Sequence, residues 1–337
     1  MTAAGNRELA HRGAPAGAVW CPVDDLGMLQ IDGVDAGAFL HAQLSSDVVA
    51  LRPGTRQWSA YNSPKGRVLA NLHLWRKPLS PVAGRYGALL AADLADAVGK
   101  RLSMFVLRAK VALTDGTAKH RFFGVGGPRA AEAVAAAFGV APAANATVEV
   151  AGVTTLLGLH DGRILVITTD TAAANAARLL ALHATAGDAN LWRWLDIRAG
   201  VPLVTAATSD QFVAQMINWD ALDGISFTKG CFPGQEIIAR TRYLGRLKER
   251  LFALHGATLP PAAGARLYSP VFGDQPCGTV VNAAAAAEGG TDLLAVVQIA
   301  AAETAAVALG APAGPPLALR ALPYSIPEAT APRGRIA

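Results

Sequence analysis

Apolar residues recur along this chain in two rhythms, one of period two and one of helical spacing, and the two alternate. Residues 26 to 31 read as a strand that Gly33 breaks, and Asp35 stands where a helix N-cap belongs. Ala36, Phe39, Leu40, Gln43 and Leu44 then share one helical face, with only Gln43 polar, and Ser45-Ser46-Asp47 closes the element. Residues 56 to 61 and 67 to 75 read as paired strands about the turn Asn62-Ser63-Pro64-Lys65-Gly66. In the second of them Val68, Ala70, Leu72 and Leu74 line one face, while Arg67, Asn71 and His73 punctuate the other. Residues 86 to 91 form a further strand. Asp93 is placed to cap a helix with Leu94, Val98, Leu102, Phe105 and Val106 on one face, and residues 109 to 113 return as a strand.

The same order follows again. Residues 122 to 125 read as a strand, Pro128 suits the first turn of a helix reaching Phe138, and residues 153 to 160 and 163 to 168 flank the hairpin signal Asp161-Gly162. Asp170 is placed to cap a helix to about His183. Asp188 caps the next one, which carries Leu191, Trp192, Leu195 and Ala199 and stops at Gly200 and Pro202. A short helix is expected from Ser209, with Phe212, Val213 and Met216, and a short strand at residues 225 to 228. Beyond Gly245 the pattern becomes strands only: a long one from Leu247 to Leu254, then 264 to 268, 278 to 282, 293 to 299 and 316 to 319. Ala-, Gly- and Pro-rich links separate them, and residues 283 to 290 read as a flexible connection. The expected class is α+β: two ferredoxin-like α+β units followed by a small antiparallel β-barrel. The corresponding division is 1–20 flexible N-terminus, 21–245 core, 246–327 barrel and 328–337 tail.

Composition narrows the partners. With 337 residues, 52% hydrophobic and 16% charged, the chain has ample material for packed cores. No apolar run opens it and none is long enough to span a bilayer, so neither a signal peptide nor a membrane anchor is expected. The net charge of +5 suits an anionic ligand, and the absence of a basic block argues against dedicated nucleic-acid binding. Cys21, Cys231 and Cys277 are odd in number and far apart, which excludes a disulfide framework, a zinc pattern and a resident iron–sulfur cluster. The expectation is a cytoplasmic monomer without bound metal.

One stretch concentrates chemistry: Lys229-Gly230-Cys231-Phe232-Pro233-Gly234-Gln235-Glu236. Gly230 and Pro233-Gly234 demand a tight loop. From Gln235 to Tyr243 there is no Gly or Pro, so a helix begins as the loop ends. A helix N-terminus and the charge of Lys229 both favour a thiolate at Cys231. Glu236, in the first turn, also suits the helix dipole.

This octapeptide, with Gly224-Ile225-Ser226-Phe227 before it and Ile237-Ile238-Ala239-Arg240 after it, resembles the signature loop of the YgfZ family. That family comprises folate-binding, GcvT-like relatives of the glycine-cleavage aminomethyltransferase. Weaker resemblance runs from about Asp24 to Tyr324. It implies a three-domain, ring-like fold with a central folate cleft, and a role in assembling or repairing iron–sulfur clusters in a subset of enzymes, including tRNA methylthiolation enzymes. It further implies Cys231 and Lys229 as reactive residues, and Trp192, Arg240, Glu236 and Gln235 as contacts for tetrahydrofolate or a one-carbon derivative. Gly230, Phe232 and Gly234 would shape the loop. Arg242 and Arg246 extend the basic set near Arg240. The chain departs from the family at Leu26, where a second folate-contacting Trp is expected. It departs from the aminomethyltransferases at Arg198, where a Glu anchors the pterin; Arg cannot accept those N–H bonds, which leaves Asp196 as the nearby acceptor. The alternatives are an aminomethyltransferase of the glycine-cleavage type and a folate store without chemistry.

Overall fold

The computed structural model describes residues 17–77, 84–243 and 247–327. The first strand, β1 (Val19–Val23), belongs to the second of three sheets. The first unit then runs β2 (Leu26–Asp32), α1 (Ala36–Gln43), β3 (Thr55–Asn62), β4 (Val68–Arg76), β5 (Arg85–Ala91), α2 (Ala95–Ser103) and β6 (Ala112–Asp115). Its sheet order is β3-β4-β5-β2-β6, antiparallel throughout. Without the outer strand β3, this is the ferredoxin-like βαββαβ arrangement. Alternation decides which face is which. Val68, Ala70, Leu72 and Leu74 of β4 are buried, as are Ala36, Phe39 and Leu40 of α1 and Ala95, Val98 and Leu102 of α2. Each large apolar side chain so buried contributes about 1.5–3 kcal/mol.

The second unit repeats the order: β7 (His120–Gly126), α3 (Ala130–Phe138), β8 (Thr147–Val150), β9 (Thr154–Gly158), β10 (Ile164–Thr169), α4 (Asp170–Ala181) and β11 (Thr185–Ala186). Its sheet reads β11-β1-β7-β10-β9-β8. The place beside β7, which β6 fills beside β2 in the first unit, is taken by β1, and β11 is pushed outward to pair parallel with β1. Val19 and Trp20 are therefore sheet residues, not part of a flexible N-terminus. The two units meet where Arg56 N donates to Asn145 O (2.9 Å) and Thr147 N donates to Gly54 O (2.8 Å).

Helix α5 (Ala189–Arg198) is capped as its sequence indicates: Leu191 N donates to the Asp188 carboxylate at 2.8 Å, and Gly200 takes φ +68° after the C-cap Ala199. An irregular segment leads from it to α6 (Gln235–Tyr243). The barrel follows: β12 (Glu249–Gly256), β13 (Arg266–Tyr268), β14 (Pro276–Ala285), β15 (Thr291–Gln298), α7 (Ile299–Glu303), β16 (Val307–Leu309) and β17 (Pro316–Arg320), closed in the order β12-β15-β14-β13-β16-β17.

Several local expectations are corrected. The Asp35 carboxylate accepts from Lys110 N rather than from its own helix. The Asp93 carboxylate accepts from Ala206 N, and a 3-10 turn replaces the expected helix start. Helix α2 ends at Ser103, so Phe105 and Val106 lie beyond it, before a left-handed turn at Leu107 (φ +46°). Helix α3 starts at Ala130, after Pro128, and Asp170 follows the N-cap Thr169 instead of occupying it. The helix expected from Ser209 is a 3-10 turn, Ala214–Ile217. Residues 225–228 form no strand. Ser226 N is held by Ser45 O, and buried Ile225 packs into the core, so the apolar alternation there reflects burial alone. Ala283 to Ala285 continue β14 rather than opening a flexible link. The expected core–barrel boundary, Arg246 and the 328–337 tail fall on residues outside those described.

Candidate functional site

Two features of this fold carry chemistry. The first is a cleft between the units and α5. Leu26, Trp58 and His73 form one wall, and Leu165, Trp192 and Asp196 face them. A void of about 20 Å³ remains between the walls, the room of a single water. A larger groove, of about 300 Å³, lies on the outer face of the first unit between α2 and β6. It is remote from the cleft, and its Asp96 and Lys100 already pair with each other at 2.8 Å.

A buried polar network supports the cleft. Arg163 immediately precedes β10 and is 2% exposed. Its Nε donates to the Asp161 carboxylate at 2.6 Å and its Nη1 to Asp196 Oδ1 at 2.7 Å, while its guanidinium lies 4.7 Å from the centre of the Trp192 ring. From the other sheet, Arg56 donates to Gly158 O and to Asn145 Oδ1, and its Nη1 lies 3.2 Å from His73 Nδ1. Burial shapes the charges. It raises the Asp196 pKa to about 6 although Arg163 pulls it back, and the Asp196 side chain keeps 34% of its surface exposed, so water moderates the rise. Burial lowers Arg56 to about 10 and takes His73 well below 6.5, the latter with help from Arg56 and Arg163. Burial would raise Asp161, but Arg163 and His160 outweigh it and hold the carboxyl below its ordinary value.

Trp192 forms a wall of this cleft. It is 2% exposed, packs on Gly124 of β7 where a Cβ would stand 2.0 Å from Cε3, and lies under Arg163. Arg198 points elsewhere: its Nη1 is 3.7 Å from Asp292 of the barrel. Asp196 is thus the carboxylate that α5 presents to the cleft.

The second feature is the cysteine loop. Cys231 is exposed, whereas Cys21 and Cys277 are buried and their pKa values are raised by burial, Cys21 to about 12. The loop is latched to the first unit at two points. Lys229 Nζ donates to the carbonyls of Leu44 (2.6 Å), Ser46 (3.2 Å) and His41 at the C-terminal end of α1, where a cation is favoured. Burial draws its pKa down to about 8, against the attraction of Asp47. Phe232 is buried beneath that ammonium, 5.0 Å from ring centre to Nζ. Gly234, at φ +78°, lies against the β3–β4 turn so closely that a Cβ would stand 2.5 Å from Gly66 Cα and 2.6 Å from Ser63 O. Gly230 has open space around it.

On α6 only Ile238 is buried. Glu236 and Arg240 face solvent, Gln235 is half-buried, and Arg242 stacks over Phe227 at 4.0 Å. The structure therefore divides the residues singled out in the sequence. Trp192 lines the cleft, whereas Lys229, Cys231, Gln235, Glu236 and Arg240 belong to the loop and its helix. Strand β3 links the two places: Trp58 lies in the cleft and Asn62 enters the turn under Gly234, roughly 13 Å along the strand. Arg56, His73, Asp161 and Arg163 were not anticipated as site residues. The available signal was Arg163, a charge at the mouth of the otherwise apolar strand Ile164-Leu165-Val166-Ile167.

A duplicated ferredoxin-like unit, a barrel closing it and a cleft between the parts define a protein of the aminomethyltransferase fold. The glycine cleavage system aminomethyltransferase T from Bartonella henselae superposes with a TM-score of 0.70 over 93% of this chain and 88% of its own, at 17% identity. The chain belongs to the YgfZ family: it is 33% identical over 310 residues to the tRNA-modifying protein YgfZ of Yersinia pestis (strain Pestoides F), covering 91% of this chain and 92% of that one. The protein of the same name from Serratia proteamaculans (strain 568) is 31% identical over the same length. No protein-family model matches the chain. Among the described residues no helix is long and apolar enough to cross a membrane.

Proposed function

We propose that this chain is a cytoplasmic, monomeric folate-binding protein that supports tRNA modification. In this reading it assists the assembly or repair of iron–sulfur clusters in client enzymes such as those of tRNA methylthiolation, and the clients dock transiently. The observation that carries the reading is Asp196, a carboxylate fixed by Arg163 on the wall of an aromatic and apolar cleft. Such an acceptor suits a flat ring carrying N–H groups, as the pterin of tetrahydrofolate does. The chemistry fits; a ring of that size enters only when the walls part, because the void of about 20 Å³ is smaller than the ring. When bound, a one-carbon derivative of tetrahydrofolate would supply a one-carbon unit. The chain contributes the acceptor at Asp196, aromatic walls at Trp58 and Trp192, exclusion of water by Leu26 and Leu165, and the exposed thiol of Cys231 at the rim of the first unit. On α6 beside that thiol, Arg240 and Gln235 suit the glutamate tail, and Glu236 suits another part of the folate or a client surface. Arg198, turned to the barrel, argues against the aminomethyltransferase reading, which needs an acceptor there.

The test has two arms. In calorimetric titration, tetrahydrofolate binds the wild type, and Asp196→Ala weakens binding about 10–100-fold, as for a lost hydrogen bond to a charged group. In cells lacking their own YgfZ protein, the wild type restores tRNA methylthiolation and Cys231→Ser does not. Absence of folate binding, or full restoration by Cys231→Ser, would refute the reading.

A further inference from the structure

His73 is on β4, in the wall facing Asp196, with its ring centre 3.9 Å from that of Trp58. Its Nδ1 lies 3.2 Å from Arg56 Nη1. A guanidinium has donors only, so Nδ1 is the acceptor, and the single proton of a neutral imidazole must sit on Nε2. Arg56 is itself held by Gly158 O and Asn145 Oδ1 and is not free to turn away. The ring stays neutral because burial, Arg56, Arg163 and His160 all oppose a positive charge on it. His73 makes no other hydrogen bond among the described residues. The tautomer is therefore fixed from behind, and the ring keeps an uncommitted donor.

We propose that His73 is a specificity-determining donor of the cleft. Its Nε2–H, on the wall facing the Asp196 carboxylate, selects a ring that carries a carbonyl oxygen and N–H groups together, as a 2-amino-4-oxo pteridine does and a 2,4-diamino pteridine does not. The 4-amino ring turns a donor toward a donor, and the N–H of His73 is left buried and unpaired. The inference rests on the folate reading of the cleft and adds to it the basis on which one ring is preferred over another.

The first measurement needs no ligand. Nitrogen-15 NMR of the imidazole in the full chain should show His73 as the neutral Nε2–H tautomer from pH 6 to 8. An Nδ1–H tautomer or an imidazolium in that range overturns the proposal. The second compares tetrahydrofolate with its 4-amino-4-deoxy counterpart in the wild type, in His73→Leu and in His73→Gln, whose amide retains an N–H donor. The ratio of the two dissociation constants in the wild type should exceed that in His73→Leu by about 10-fold or more, and His73→Gln should retain most of the preference. Dividing by the His73→Leu ratio cancels whatever Asp196 contributes to either ring. Equal ratios in wild type and His73→Leu overturn the inference while leaving the folate cleft standing. Failure of both rings to bind the wild type overturns the cleft reading itself.

Discussion

At the scale of single residues, Lys229 and Cys231 stand two positions apart and do different work. The Lys229 ammonium is committed to three carbonyls at the end of α1. Lys229→Met leaves those acceptors unmet and should cost on the order of 3 kcal/mol in urea denaturation. Cys231→Ser alters an exposed side chain and should stay within about 0.5 kcal/mol of wild type. Equal losses in both would mean that the thiol, too, is structural. Asp196 sets a pH signature. Its pKa is raised from 3.8 to about 6 in the folded state, so the native protein holds the proton more tightly than the unfolded chain. Its contribution to stability is fully present below about pH 3.8 and is lost as pH rises through about 6. Asp196→Asn should remove that part of the slope between pH 4 and 6, and an unchanged slope would assign it to another group.

At the scale of elements, the latch under the cysteine loop depends on one glycine and not the other. Gly234→Ala forces a Cβ into the Ser63–Gly66 turn at a left-handed φ, whereas Gly230→Ala meets open space. The first should lower the melting temperature and expose the 229–234 amides to exchange, and the second should do neither. The loop-to-helix transition at Gln235 was legible in the sequence because turn residues and helical periodicity are local signals. So were most strands of both units. Strands β1, β8, β11 and β16 were not: all are short, and β1 and β11 are held by partners distant in sequence, as Val19 is by Gly126 on one side and Thr185 on the other. The support of the cleft was hidden for the same reason. Asp161-Gly162 announces a turn, but nothing near it shows that Arg163 reaches Asp196 of α5, or that Arg56 reaches His73 across β3 and β4. Those contacts exist only once the sheet registers are set.

For the whole molecule, a buried carboxylate gathers several of the contacts that join the barrel to the core. Asp292 of β15 accepts from Trp194 Nε1 at 2.8 Å, lies 2.8 Å from His255 Nδ1, and faces Arg198 at 3.7 Å. Beside it, Asn282 makes a reciprocal pair of hydrogen bonds with the backbone of Leu203, the segment that bounds the cleft. Asp292→Ala removes the acceptor from buried donors and should destabilise the protein by about 3–5 kcal/mol in thermal denaturation. A loss below 1 kcal/mol would show that Asp292 is dispensable and that the remaining contacts, such as Asn282 to Leu203 and Arg250 to Asp220, unite barrel and core.

The position of β1 bears on how the chain reaches this state. Its partner in the second sheet, β7, begins at His120, so the whole first unit lies between the two in the order of synthesis. As the chain leaves the ribosome, β1 waits without a partner until the first unit has been made, and it must then thread back as an inner strand. The first unit can close early, because its strands all lie within residues 26 to 115. The second cannot, and the edges of β1 stay open to intermolecular pairing during that interval. An N-terminal fusion that restrains residues 19 to 23 would therefore be felt in the yield of soluble protein rather than in the stability of molecules that have already folded.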